Sequence, residues 1–254
     1  MQTPALPEVS PDRGELRVVP LSELMHEDRG WTRGHAHVAF DDIPKGAPGY
    51  LDMPPIKLAV FQEVDPGAGY PTHHHENVDT LLVVLQGAML HEDSLGNRAR
   101  CAAGSVYALS AGSGIDHSEF AEVFDEPKRT TRAVMFWVRP QHFLQPPRFL
   151  SKCFPRAERT NELVTLASGR RNAPPDALPV RQDVALLGVA LTAGAELIHT
   201  LAPGRSAYLL NTDGEIEVNG RVVRAGERVL VRDIQRLALR ARTDTELFLL
   251  DVPR

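Results

Sequence analysis

The chain has 254 residues, 43% hydrophobic and 24% charged, with a formal net charge of -5. That length suits two domains of ordinary size, and the acidic balance argues against a phosphate-backbone partner. The densest basic spots, Arg156/Arg159 and Arg170/Arg171, carry no interleaved aromatics, so direct nucleic-acid binding is not expected.

Cys101 and Cys153 form neither a CxxC pair nor a secreted-type framework, and both are expected to be reduced and partly buried. The opening MQTPALPEVSPDRG has no apolar stretch after a basic start, so no signal peptide is predicted. No run approaches the ~18 apolar residues that span a bilayer. The cytoplasm is the expected compartment, with no membrane partner.

In chain order, a short strand is predicted at Leu16 to Val19, then one or two helical turns at Leu21 to Glu27 behind a Ser22 cap. Strand signals accumulate from Ala36. Ile56 to Val64 is β-branched and stops at Asp65-Pro66-Gly67; Thr80 to Leu85 is apolar and stops at Gln86-Gly87; further runs are Ala88 to Glu92, Ser105 to Leu109 and Ala133 to Val138. Short strands at roughly 8–12-residue spacing indicate a sandwich or barrel. Residues 139–179 are rich in proline and read as a connector, with one strand at Leu163 to Ala167. Strands resume at Val184 to Leu191. Asn219-Gly220 between Glu215–Val218 and Arg221–Val223 is a hairpin signal of type I′. Val229 to Val231 and Glu246 to Val252 complete the set. The two halves echo each other in strand and turn order, as a duplicated barrel would. The predicted fold is all-β, in two barrels over residues 1–145 and 146–254.

The chemistry concentrates in the first half. Side chains alternate faces along a strand, so in Tyr70-Pro71-Thr72-His73-His74-His75 the residues His73 and His75 share one face. In Asp116-His117-Ser118-Glu119 the residues His117 and Glu119 share one as well. Two such pairs on a barrel's inner face offer three nitrogens and a carboxylate and leave positions open on a metal that takes five or six ligands. A chance surface His run is the competing reading at this point.

The stretch Asp65 to Phe120 resembles the pirin family of bicupins. It reads Gly67-Ala68-Gly69-Tyr70-Pro71-Thr72-His73-His74-His75, then Gln86-Gly87, then His91-Glu92-Asp93-Ser94-Leu95-Gly96, then Ser110-Ala111-Gly112-Ser113-Gly114-Ile115-Asp116-His117-Ser118-Glu119, in the family's order and spacing. Arg29-Gly30-Trp31 and the hairpin-rich second half are similar more weakly. The resemblance implies that His73, His75, His117 and Glu119 hold one divalent metal ion, iron first, with nickel, cobalt, manganese or zinc also suiting the donors. It implies an all-β bicupin, two cupin-like β-barrels of which the first, residues 1–145, binds the metal and the second, residues 146–254, is metal-free; no organic cofactor is expected. It also implies a quercetin 2,3-dioxygenase-type oxidoreductase, which opens a flavonol ring with dioxygen and releases carbon monoxide. Glu119 is then the expected catalytic base. The alternative is a non-catalytic, redox-sensing regulator with a protein partner. His74, Glu76 and Asp79 depart from the family's usual Pro, Arg and Glu, which alters the rim of the site but removes no ligand. Asp79 is read as orienting a ligand histidine or capping a strand, His91 as a turn contact, and Tyr70 as pocket lining or core. Ala36 to Phe40, with His37, is placed at the barrel mouth. In the second half, Arg205-Ser206-Ala207 stands where the first has three histidines, and His199 has no partner.

Overall fold

The computed structural model describes residues 14–124 and 129–254. It holds twenty-two strands and two short 3-10 helices among the described residues, and no helix there is long and apolar enough to cross a membrane. Two seven-stranded sheets and two four-stranded sheets make up the two barrels, as the strand spacing predicted.

In the first barrel, Asp79–Gln86 lies between Ser105–Ser110 and Thr131–Val138, antiparallel to both. Its sequence is an unbroken apolar run because both faces are covered. Leu81 and Val83 join a core that also contains Tyr208, Leu230 and Leu250 from the second barrel. Leu82 and Val84 point the other way, into the first barrel's own core with Val60, Tyr107 and Met135. Ala185–Leu191 is buried along its whole length for the same reason. The barrels therefore meet back to back through their larger sheets.

The smaller sheets correspond strand by strand. The first runs Gly69–His75, Ile115–Ala121, Ala88–Asp93, Arg98–Ala102; the second runs Glu196–Thr200, Arg236–Ala241, Glu215–Val218, Arg221–Arg224. The counterpart of the three-histidine strand is thus Glu196–Thr200, which carries His199. Arg205-Ser206-Ala207, the match drawn from sequence, opens the strand equivalent to Asp79–Gln86.

Local chemistry explains other details. Asn219 and Gly220 both have positive φ, 47° and 76°, which makes the tight turn a type I′. The helical expectation at Leu21 to Glu27 is only partly met. A 3-10 turn spans Leu21–Glu23 with Pro20, not Ser22, at its start. Met25–Asp28 is a strand paired with Thr32–Val38, because the ladder satisfies more backbone groups than a lone helical turn. Two segments cross the domain boundary drawn from sequence: Glu15–Val19 pairs with Arg228–Arg232 of the second barrel, and Arg148–Cys153 pairs with Ser105–Ser110 of the first. Cys101 is buried and Cys153 exposed, both as free thiols.

Candidate metal centre

Gly69–His75 and Ile115–Ala121 are adjacent antiparallel strands, with His73 opposite His117 and His75 opposite Ile115. Alternation sends His74 outward, where its Nδ1 meets Asp116 Oδ1 at 2.9 Å, and turns His73 and His75 inward. A bulge between His117 and Glu119 shifts the register. It is possible because Gly69 lets the strands approach: a Cβ there would lie 2.0 Å from the Glu119 carbonyl oxygen.

His73, His75 and His117 converge, with ring centroids 4.4 to 5.0 Å apart and one ligand nitrogen from each within 4.8 Å of the others. Burial, followed by the neighbouring imidazoles, lowers His75 to about 4 and His117 to about 3. Both are neutral at pH 7 and offer lone pairs, the form a metal requires. His73 Nδ1 donates to the Pro71 carbonyl at 2.8 Å, which leaves Nε2 as the free donor atom. Both ring nitrogens of His117 are buried without a hydrogen-bond partner. A buried imidazole left this way is costly, and a metal ion would relieve it. The residues present fit a divalent ion.

Glu119 stands differently. It lines the same cavity, but its ligand oxygen groups at 4.8 Å with His117 and His91 rather than with all three clustered histidines. Its Oε1 accepts a hydrogen bond from the Tyr107 hydroxyl. Complete burial raises it to about 8, so without a nearby cation it keeps its proton at neutral pH.

The cavity beside the cluster is about 280 Å3. Leu58, Val60 and Met135 form much of its floor, and Gln62, Tyr70, Thr80 and Trp137 also line it.

The comparisons bear directly on this arrangement. Residues 50–138 match the family model described as "Pirin", and residues 165–252 match "Quercetinase C-terminal cupin domain". A "Pirin-like protein" of Caulobacter vibrioides is 36% identical, over 91% of this chain and 97% of its own length. The chain belongs to the pirin family. "Quercetin 2,3-dioxygenase" of Escherichia coli is 27% identical over 91% of this chain and 96% of its own. The bacterial pirin YhhW of E. coli, solved in complex with nickel(II), superposes with a TM-score of 0.82 at 24% identity, covering 94% of this chain and 99% of that one. The bicupin fold expected from sequence holds for both halves of the described chain.

In this pirin the other sequence-level expectations divide. His91 does make a turn contact: its Nε2 lies 3.1 Å from Asp93 Oδ2, while Asn97 and Leu95 donate to the same carboxylate. It also stacks on Phe149, with centroids 3.9 Å apart and planes 7° from parallel, and stands beside Glu119 and His117, which its turn motif did not reveal. Asp79 is buried and raised by that burial. Its Oδ2 accepts the backbone N–H of Arg181 at 2.9 Å, so it holds the connector rather than a ligand histidine. Tyr70 lines the cavity and donates to Gln62 Oε1 at 2.8 Å. Ala36, Val38 and Phe40 line the cavity as expected. His37, on the opposite face of its strand, meets Tyr208 OH of the second barrel at 2.9 Å.

Gln62, Thr80, Trp137 and Tyr107 were not singled out from sequence. One signal was available. Leu58, Val60 and Gln62 alternate along one face of Ile56–Val64, and an amide at an inward position is unusual enough to mark a site.

Proposed function

We propose that this pirin is a metal-dependent dioxygenase of the quercetin 2,3-dioxygenase type, acting on a flavonol-like aromatic substrate. The observation that carries this reading is the convergence of three imidazoles, one with both nitrogens unpartnered, on the wall of a largely apolar cavity. The E. coli relative of that name supports it. A concave, largely apolar cavity next to the cluster favours a small-molecule reaction over a regulatory surface.

His73, His75 and His117 would hold the ion, with Glu119 as the fourth ligand. Iron is the first candidate; nickel, cobalt, manganese and zinc also suit the donors, and the nickel in the E. coli structure belongs to that protein. When bound, a divalent ion supplies Lewis acidity toward the flavonol's enolate oxygen and a meeting point for dioxygen. The chain's residues do the rest. Beside a divalent charge the Glu119 carboxylate is held ionised, and Oε2, the oxygen that Tyr107 does not engage, is available to take the flavonol's hydroxyl proton. Leu58, Val60 and Met135 give an aromatic ring an apolar bed and exclude water.

The test is to load purified protein with each of the five ions, establish the metal content by elemental analysis, and follow flavonol absorbance after adding quercetin and air. Loss of absorbance with at least one ion, abolished in His73→Ala/His75→Ala, is expected. No turnover with any ion refutes the reading.

A further inference from the structure

Besides His117, three side chains that line the cavity each leave one buried polar atom without a partner among the described residues, and they sit at its two ends. Gln62 is 2% exposed, and its Oε1 is taken by the Tyr70 hydroxyl, so the amide's Nε2 is the free group. That Nε2 is buried without a partner, as are Thr80 Oγ1 and Trp137 Nε1. All three residues line the one cavity. Buried donors lacking acceptors are costly and uncommon, and three on the wall of a single cavity point to a ligand that supplies the acceptors.

Their placement sets the ligand's shape. Thr80 and Trp137 are direct partners in neighbouring strands, and Trp137 is also opposite Leu58. Gln62 is four residues beyond Leu58 on the same strand, a separation of about 13 Å at a strand's rise per residue. Between them the floor is Leu58, Val60 and Met135. The histidine cluster lies alongside this axis: the rings of His75 and Trp137 are 4.9 Å apart at one end, and those of His73 and Tyr70 are 6.2 Å apart at the other.

We infer that Gln62 at one end, and Trp137 with Thr80 at the other, are specificity-determining residues that select an elongated, planar aromatic ligand carrying oxygen acceptors at both ends. A single-ring phenol would satisfy one end only. This rests on the reading of the cavity as a flavonol site and sharpens it: hydroxyls on the outer rings, not only the reacting heterocycle, are what the site recognises.

The experiment is anaerobic titration calorimetry on metal-loaded protein with three ligands: quercetin, a flavonol with no hydroxyls on its outer rings, and a hydroxychromone lacking the pendant ring. Quercetin should bind at least about tenfold more tightly than either of the others, the scale of one hydrogen bond to a buried group. Trp137→Phe and Thr80→Val should each weaken quercetin by roughly tenfold and leave the bare flavonol within about twofold. So should Gln62→Met, with Gln62→Glu as a second variant that keeps an acceptor for Tyr70 while removing the donor. Unfolding midpoints and metal content of each variant separate lost contacts from lost structure. Equal effects on quercetin and the bare flavonol, or no effect on either, overturn the inference, as does failure of all three ligands to bind. If quercetin binds with the expected pattern but survives admission of air, the dioxygenase reading falls and this one stands.

Discussion

Glu119 and His91 are direct partners across the antiparallel ladder of Ile115–Ala121 and Ala88–Asp93, and Tyr107 donates to the same Glu119 carboxylate. The carboxylate thus has a protein environment that does not depend on the histidine cluster. Asp93 accepts from His91 Nε2, so His91 Nδ1 carries the lone pair, and that nitrogen is buried without a partner.

Glu119→Gln is therefore expected to keep most of its metal, since three histidines remain and can hold a divalent ion with water. The amide cannot take a proton, so turnover should fall by roughly 10²-fold or more. Turnover of quercetin per bound metal, compared with wild type, checks this; an unchanged rate rules out Glu119 as the base.

Metal should bind at close to one equivalent per chain, and His73→Ala/His75→Ala should lose most of it. His199→Ala should lose none. His199 is the imidazole on the counterpart strand of the second barrel, and its Nε2 is buried without a partner, but it belongs to no cluster of three or more potential ligands among the described residues. Elemental analysis of the three proteins decides both points.

Tyr208 is the hinge of a polar contact between the barrels. It accepts from Arg228 Nε at 3.1 Å and so donates to His37 Nδ1 at 2.9 Å. Arg228 is fully buried, and its guanidinium also donates to the carbonyls of Gly226 and His35. Tyr208→Phe leaves a guanidinium nitrogen and an imidazole nitrogen unpaired, at about 1–3 kcal/mol, which lowers the unfolding midpoint by several degrees. Tyr208→Phe/Arg228→Met removes the stranded charge and should recover part of that loss. Calorimetric unfolding of both variants measures it; a double variant less stable than the single one contradicts this account.

Acid should weaken the fold through His37. Burial is the main cause that lowers it to about 3 from 6.5, with the Arg228 charge adding to it. Between those values the unfolded chain binds a proton that the folded one does not, so stability is full above about pH 6.5 and falls as pH drops toward 3. The slope from this one group approaches about 1.4 kcal/mol per pH unit. His37→Gln keeps an acceptor for Tyr208 and removes the titration. Denaturant unfolding of metal-free protein between pH 7 and 5 should show a shallower decline in the variant, and parallel curves would exclude His37 as a source.

Much of this was legible in the residues. Period-2 placement put His73 and His75 inward and His74 outward, and the geometry of Asn219-Gly220 follows from its two positive φ angles. What escaped was set by partners distant in sequence. Nothing near Met25–Asp28 announces the strand that pairs with it, so a local helical signal prevailed on paper. Asp79 has a carboxylate's usual range of uses, and only the fold brings Arg181 to it. Thr80 and Trp137 look like ordinary strand residues until three strands lie side by side, and of the cavity's polar wall only Gln62 carried a signal of its own.

The exchange of edge strands has a consequence for how the molecule is made. Glu15–Val19 finds its register against Arg228–Arg232, more than two hundred residues later in synthesis. Glu15–Val19 must therefore stay unpaired until Arg228–Arg232 has been made, a long closure that favours late completion of the second barrel. Because Arg148–Cys153 is likewise committed to the first barrel, cutting the gene at the connector yields no intact half. Anything fused close to Glu15 is felt first in the barrel farthest from it in sequence.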